Sequence, residues 1–439
     1  MDQAPCGAWL QMGTQPAAGH KVRAAARQRP GLAARTLGHM SSYSILIGLS
    51  LAVILSYLFN LASRATRVPS VLLLLLTGIG LRQWAEYADI DFRIPKTLLE
   101  IFGIIGLIMI VLEGALDLRL SRDKVPLIRR SFLAAALMLV AQATAIGVIL
   151  HAWLGASWQT SLLNAVPLVV ISSAIAIPSV ANLTGEKQEF IVYESTFSDI
   201  LGIMLFNFVD QEDFAQGHSL ITFTRGVVLI VVVAVLSTVL LGFLLGRLRE
   251  HVKFFLLFAF LILIYSLAKQ LHLSSLLLVL AFGLAMNNSD LLLGWLRLRT
   301  GWRGFTAEDL APDLHQLKSI TAESAFLIRT FFFLLFGYSI TLANLISWQL
   351  LGQGILIVAV LTAIRYLYLR YVARTDLLPE LFIAPKGLIT VLLFYSIPAQ
   401  HLLGDVSENI LFVVILLTSI LMMVGLIISR QKPTAAIEF

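Results

Sequence analysis

Charge is what this 439-residue chain has least of: Asp, Glu, Lys and Arg make up 13% of it, against about a quarter in an ordinary soluble domain. Cysteine is nearly absent too. Cys6 stands alone, which excludes an internal disulfide and any cysteine-based metal site. The eight histidines are scattered, and none forms a ligand pair on one helix face. Neither His-Glu-x-x-His nor Gly-x-Ser-x-Gly occurs, so nothing points to a hydrolase working inside a membrane, and no cofactor is expected. The apolar stretches do not alternate with period two, which excludes a transmembrane barrel.

What the chain has instead is apolar length. Hydrophobic residues make up 58% of it, in runs of about 20, enough to cross a bilayer as helices. Lipid is therefore an expected partner. Backbone in lipid must satisfy its own hydrogen bonds, so a helix bundle is the remaining architecture. The net charge of +6 is read as basic cytoplasmic loops, and no nucleic-acid partner is expected.

The expected fold class is an all-α polytopic membrane protein with about thirteen transmembrane helices. The spans fall at 42–63, 69–84, 98–117, 131–153, 160–183, 188–209, 219–246, 253–271, 274–289, 321–338, 348–371, 379–399 and 406–429. Basic residues gather after odd-numbered spans: Arg64 and Arg67, then Arg119 to Arg130, Arg247 to Lys253, Arg297 to Lys318, Arg370 and Arg374, and Arg430 and Lys432. The alternate loops are weakly charged or acidic, as in Asp210-Gln-Glu-Asp213. By the positive-inside rule the N-terminus is outside and the C-terminus cytoplasmic.

Residues 1–41 differ in character, with Lys21, Arg23, Arg27, Arg29 and Arg35 among Ala, Gly and Gln. They read either as a targeting segment or as a translation start assigned too early, ahead of a natural start at Met40. A basic leader outside conflicts with the topology, so residues 1–39 are set apart from the fold. The domain plan is then a leader over 1–41, a transmembrane unit over 42–429 and a short cytoplasmic tail over 430–439.

Thirteen spans divide as six, one and six. The repeats would cover about 42–210 and 253–429 with inverted topology, joined by a linking helix at 219–246. Span three ends Leu112-Glu-Gly-Ala-Leu-Asp117 and span ten ends Leu335-Phe-Gly-Tyr-Ser339, each with a glycine near one end. Span five is interrupted at Ser172-Ser-Ala-Ile-Ala-Ile-Pro178, and its counterpart, span twelve, at Ala384-Pro-Lys-Gly387. Matched interruptions in two halves are the best sequence pointer to a transporter's ion site. A single proline would only kink a helix.

Charge inside a membrane is costly and marks function by default. Span six reads Phe190-Ile-Val-Tyr-Glu-Ser-Thr-Phe-Ser-Asp-Ile-Leu-Gly202, with Glu194 and Asp199 near its centre. Ser195, Thr196 and Ser198 add hydroxyl oxygens there, and Ser172 and Ser173 add more at the break in span five. Oxygen ligands suit Na⁺, Li⁺ or K⁺, and a carboxylate also takes a proton. A site that holds one or the other is the minimum of an antiporter. Glu194 and Asp199 point about 140° apart on an ideal helix, so they need not share a task. The expectation is that Arg365 pairs with Glu194 and leaves Asp199 free to exchange ions. Arg329 is expected near the broken helices, offsetting their partial charges. Lys386 either compensates carbonyl ends at the second break or snorkels. Glu113 and Asp117 either line an access funnel or pair at the interface with Arg119 or Arg122.

Glu194-Ser-Thr-Phe-Ser-Asp199 resembles the Glu-Ser-x-x-Asn-Asp motif of sodium/proton exchangers in the cation/proton antiporter superfamily. Ser172 to Pro178 is similar to that superfamily's unwound crossing helix, and Ala384-Pro-Lys-Gly-Leu-Ile-Thr390 resembles its Gly-Leu-Arg-Gly segment. Arg365 falls where the family pairs an arginine with the motif's glutamate. Arg67-Val-Pro-Ser70 and Glu113-Gly-Ala-Leu116 fit as well, so the resemblance covers 42–429. It implies a homodimer with a dimerisation bundle and a six-helix core, spans five, six, twelve and thirteen lying in the core, which moves as an elevator. It also implies that Asp199 carries the cation and the proton, in a bacterial inner membrane. Ser198 replaces the family's Asn or second Asp. A single titrating carboxylate beside a Glu–Arg pair favours one-for-one, electroneutral exchange, but Ser198 leaves the stoichiometry open. Ser173-Ala-Ile replaces the Thr-Asp-Pro of many exchangers, which leaves ion selectivity open.

Two other transport classes compete. A crossed-helix symporter of organic anions would want cationic or neutral groups where span six has two carboxylates. A potassium-efflux type of pathway usually carries a large nucleotide-binding domain, and only about ten residues follow span thirteen here.

Overall fold

The computed structural model describes residues 42–66, 68–88, 96–118, 124–180, 183, 185–211, 219–247, 254–270, 273–289, 307–340, 347–403 and 405–429. The leader, the tail after Ser429, Arg119 and Arg122 lie outside these residues. Among the described residues all regular structure is helical. The helices are α1 (Ser42–Thr66), α2 (Ser70–Tyr87), α3 (Lys96–Asp117), α4 (Val125–Leu154), α5 (Trp158–Val169), α6 (Ser173–Ser179) and α7 (Glu186–Val209). After these come α8 (Ser219–Arg247), α9 (Phe254–Gln270), α10 (Ser275–Asn287), α11 (Ala307–Ser339), α12 (Trp348–Leu367), α13 (Leu388–Tyr395) and α14 (Asp405–Ile428). A π-helical turn, Tyr368–Ala373, continues α12, and a short 3₁₀ turn, Ala399–His401, follows α13.

These elements account for the thirteen expected spans, span five being α5 with α6. Seven stretches among the described residues are each long and apolar enough to cross a bilayer. The chain is an integral multi-pass membrane protein. Its helix ends are fixed locally. Ser157, Ser274 and Ser347 cap α5, α10 and α12 by accepting from the amides of Thr160, Leu277 and Leu350. Gly155, at φ 61°, closes α4 in a left-handed cap with its amide on the His151 carbonyl.

Two boundaries differ from the sequence reading. Helix α11 starts at Ala307, well before the expected 321, because its first turns are too polar for a hydropathy window to include. Span twelve is helical only in its second part. Residues 378–382 form turns and 383–387 are non-helical before α13 begins. Pro385 explains this: it lacks an N–H, and it pushes Ala384 out of the helical region.

The helices pack in two groups. One contains α2, α3, α8, α9, α10 and α11, through the pairs α2–α11, α3–α10, α3–α11, α8–α10 and α9–α10. The other contains α4, α5, α6, α7, α12, α13 and α14, through α4–α7, α4–α5, α5–α7, α6–α7, α4–α12, α12–α14 and α5–α13. The first group is drawn tight by small residues. A methyl group at Gly78 would meet the backbone of Leu334, Gly337 and Tyr338, and one at Gly337 would meet that of Leu75. Such small-residue seams are how membrane helices gain contact where lipid supplies no hydrophobic driving force. The groups meet where α10 and α8 touch α7 and where α3 touches α6 and α13. The expected core spans five, six, twelve and thirteen all fall in the second group.

Candidate functional site

The second group is organised around two gaps in its helices. Between α5 and α6 the backbone is non-helical from Val170 to Ser172. The gap is thus shorter than the expected 172–178, and Pro178 sits inside α6. A gap in the middle of a membrane strands backbone donors and acceptors, each worth several kcal/mol if unpaired. Here three consecutive amides each find a different partner. Ile171 donates to Ser198 Oγ at 2.9 Å, Ser172 to the Pro385 carbonyl at 2.9 Å, and Ser173 to Asp199 Oδ2 at 3.1 Å. On the carbonyl side, Lys386 Nζ donates to Val169 O at 2.7 Å.

The second gap, 383–387, crosses the first at this point. Pro385 and Lys386 supply the contacts just named, while the Lys386 amide donates to Thr418 Oγ1 of α14 at 3.2 Å. The crossing is close. A Cβ on Gly387 would lie 2.6 Å from Ser172 Oγ and 2.7 Å from Ile175 Cδ1. Gly202, one turn beyond Asp199 on α7, leaves room for Val170 in the same way. The glycines allow the approach and the serines and the lysine satisfy what it strands.

The expected residues separate into distinct roles. Glu194 and Arg365, each 1% exposed, form a two-pronged pair: Nη1 to Oε1 at 2.6 Å and Nη2 to Oε2 at 2.8 Å. Arg365 Nε donates to the Glu380 carbonyl at 2.8 Å, and Nη1 also approaches Met138 Sδ at 3.8 Å. Both carboxylate oxygens and all three guanidinium nitrogens of this pair are thus engaged. Asp199 differs. Its Oδ2 caps α6, but its Oδ1 is buried without a partner, and so is Ser172 Oγ one residue from that cap. An empty charged carboxylate in low dielectric is a costly state, so this oxygen calls for a cation or a proton.

Arg329 lies beside the first break, lining a cavity with Ala174, Ile175 and Pro178 of α6. Its Nη2 donates to Glu113 Oε2 at 2.9 Å, and among the described residues it makes no hydrogen bond to either break. Lys386 is the cation that meets the broken helix. At 1% exposure it does not snorkel. Among the described residues no carboxylate lies within ion-pair distance of it. Glu113, too, is engaged with an arginine of another helix. The side chain of Asp117 lies outside the described residues.

A cavity of about 460 Å³ opens beside the crossing. Ser56 and Asn60 of α1 line it together with Ser70, Arg329 and Thr330 of the first group, and Ala174, Ile175 and Pro178 line it from α6. Asp199 itself does not reach it. Ala174, next to the serine that Asp199 caps, does.

Sequence reasoning missed several supporting residues. Thr418 holds the Lys386 amide, and Gln142 of α4 donates to the Leu361 carbonyl of α12 at 2.9 Å. Both are polar side chains inside apolar runs, a signal that was legible. The carbonyls of Glu380 and Val169 carry no side-chain signal, and only the fold shows them. Among the described residues no group of three or more His, Cys, Asp or Glu side chains gathers as a metal site would require.

Two crossed discontinuous helices with an under-coordinated carboxylate between them define a secondary active transporter. The chain belongs to the family described as sodium/hydrogen exchanger, transmembrane, whose model matches residues 49–429. That is a family of transporters and not of enzymes, and the chain is a secondary active antiporter of Na⁺, or a similar cation, against protons. Its fold resembles that of the sodium proton antiporter MjNhaP1 from Methanocaldococcus jannaschii at pH 8, with a TM-score of 0.65 and 22% identity over 87% of this chain and 97% of that one. An electron-microscopy structure of the same antiporter gives a TM-score of 0.64 and 19% identity over 88% and 96%. No curated protein matches the chain.

Proposed function

We propose that Asp199 is the carboxylate at which cation and proton exchange, and that Ser172, Ser173 and Ser198 shape its site. The observation that carries this reading is the unpartnered Oδ1 of Asp199, buried at the crossing, beside a second buried carboxylate whose oxygens are both taken by Arg365. A Na⁺ ion or a proton each cancels the charge on Asp199. Bound at one oxygen, they exclude each other. Glu194 and Arg365 hold α7 to α12 through the cycle, and Lys386 holds the two breaks together. Only one group then changes occupancy, and the moving core carries the same charge on both legs. The exchange is one cation for one proton and electroneutral.

The second helix group is the moving core and the first is the bundle it moves against, in a homodimer. The halves 42–210 and 253–429 are inverted repeats around the linking helix α8. The basic loops place the N-terminus outside and the C-terminus in the cytoplasm of a bacterial inner membrane. On that orientation the cavity, which contains the α1–α2 turn residues Pro69 and Ser70, is the cytoplasmic access funnel.

Reconstitution into sealed vesicles with an imposed pH gradient tests the reading. Adding Na⁺, Li⁺ or K⁺ should dissipate the gradient, at a rate unaffected by clamping the membrane potential. No dissipation with any of the three cations would defeat the exchange reading. A rate that follows the clamp would defeat the stoichiometry. Full activity in Asp199→Asn would defeat the site.

A further inference from the structure

Outside the crossing, the most developed open feature is a groove of about 630 Å³ between α12 and α14. On α12 it is lined by Ile355, Val358, Thr362 and Tyr366, spaced as one helix face, and on α14 by Leu417, Leu421 and Val424. Among the described residues, Thr362 and Tyr366 are the only polar ones lining it. The Thr362 hydroxyl is turned back onto the Val358 carbonyl at 2.8 Å, so the floor is dry.

Length and charge indicate what fits. From Ile355 to Tyr366 the groove spans about 16 Å at the rise of an α-helix. That is close to half the roughly 30 Å hydrocarbon core of a bilayer, the depth of one leaflet. Just past the Tyr366 end lie Arg370 and Arg374, both exposed, and neither side chain has a partner among the described residues. Tyr366 and Tyr371, 39% and 66% exposed, stand beside them as aromatic residues do at headgroup depth. An apolar slot one leaflet deep, ending in two unpaired cations, has the outline of a single lipid.

The slot also has an inner side. Thr362, Leu381 and Leu421 line both the groove and a small chamber behind it that contains Arg365, Lys386, Gln142 and Thr418. Water in the groove would therefore come within one side chain of the buried cations, where it would weaken their interactions.

We propose that this groove binds one anionic phospholipid, an acyl chain lying along α12 and α14 and the phosphate against Arg370 and Arg374. The chain completes the wall that keeps the Arg365–Lys386 chamber dry. A second copy of the protein fits less well, because a symmetric groove-to-groove contact would bring the same arginines together.

The test uses the full-length protein purified in detergent and delipidated. Phosphatidylglycerol or phosphatidylcholine is added back, with thermal unfolding and native mass spectrometry as readouts. Phosphatidylglycerol should raise the unfolding midpoint of the wild type by roughly 4 °C and leave one lipid bound, and phosphatidylcholine should do much less. Ala363→Trp fills the groove from the exposed face of α12 and should abolish both effects. Ala359→Phe serves the same purpose if that variant folds poorly. The double variant Arg370→Gln, Arg374→Gln should make the two lipids equivalent. Equal effects of the two lipids on the wild type would overturn the proposal. So would a phosphatidylglycerol shift that survives a filled groove, or a filled groove that alters only the oligomeric state.

Discussion

The two ends of helix α7's buried stretch solve the same problem in opposite ways. Glu194 and Asp199 are both withdrawn from water, at 1% and 6% exposure. Around Glu194 every carboxylate oxygen is taken by Arg365, which is itself tied to the Glu380 carbonyl. Around Asp199 one oxygen is committed to an amide of a broken helix and the other is open. A buried carboxylate with both oxygens held by one arginine acts as a joint. On the proposed reading, one with an oxygen left open is a site, because that oxygen can be neutralised by something that leaves. The difference comes from the partner rather than the residue type: a fixed guanidinium in one case, a helix gap in the other.

That contrast can be broken most severely at Asp199. In Asp199→Asn the amide oxygen still accepts from Ser173, so thermal stability should stay near wild type while cation-dependent proton movement in vesicles falls to the leak rate. Asp199→Ala removes the cap as well and should add a stability loss of about 1–3 kcal/mol. If both variants unfold together at the same lowered temperature, Asp199 is a joint like Glu194 and the contrast disappears.

Glu194→Ala should show the reverse pattern, with stability as the primary loss. Removing one partner of a buried pair typically costs about 3–5 kcal/mol, read here as a lowered midpoint in detergent. Retained stability with abolished exchange would move the ion site to Glu194. A smaller effect is expected at the crossing. Gly387→Ala presses a methyl group onto Ser172 and Ile175, an overpacking cost of about 1–3 kcal/mol. It should also shift the cation concentration giving half-maximal exchange, because Ser172 lies beside the Asp199 cap. The smallest effect belongs to a control on the same helix. Glu186 of α7 accepts from Arg130 at 3.2 Å, but that carboxylate is 72% exposed, and Glu186→Gln should cost no more than about 1 kcal/mol. A large loss there would mean that α7 is held to α4 by its surface charges rather than by the buried pair at Glu194.

Much of this architecture is legible in the residues themselves, and for definite reasons. Hydropathy locates spans because backbone in lipid has no alternative to the helix. The carboxylates of span six stand out because charge there is expensive. Pro385 and Gly387 mark the second gap. The first gap is less legible: Pro178 suggests an interruption around itself, yet the helix opens earlier, at Val170, where Ser198, Pro385 and Asp199 are available to meet the freed amides. Arg329 shows what one dimension omits. It lies beside the first break, lining a cavity with α6 as its span suggested, but the packing of α11 on α3 also brings Glu113 within reach, and its guanidinium donates there.

The sequence by itself determined the solvent, the number of spans and the identity of the costly residues, because each follows from the transfer of single groups between water and lipid. Only the tertiary structure decided which charge meets which. Arg365 meets both oxygens of Glu194, Lys386 reaches the Val169 carbonyl instead of snorkelling, Arg329 meets Glu113, and Asp199 is left with a free oxygen. Those outcomes depend on distances of a few ångströms between residues far apart in the chain. Coulomb and hydrogen-bond energies change steeply over such distances, and hydropathy does not register them.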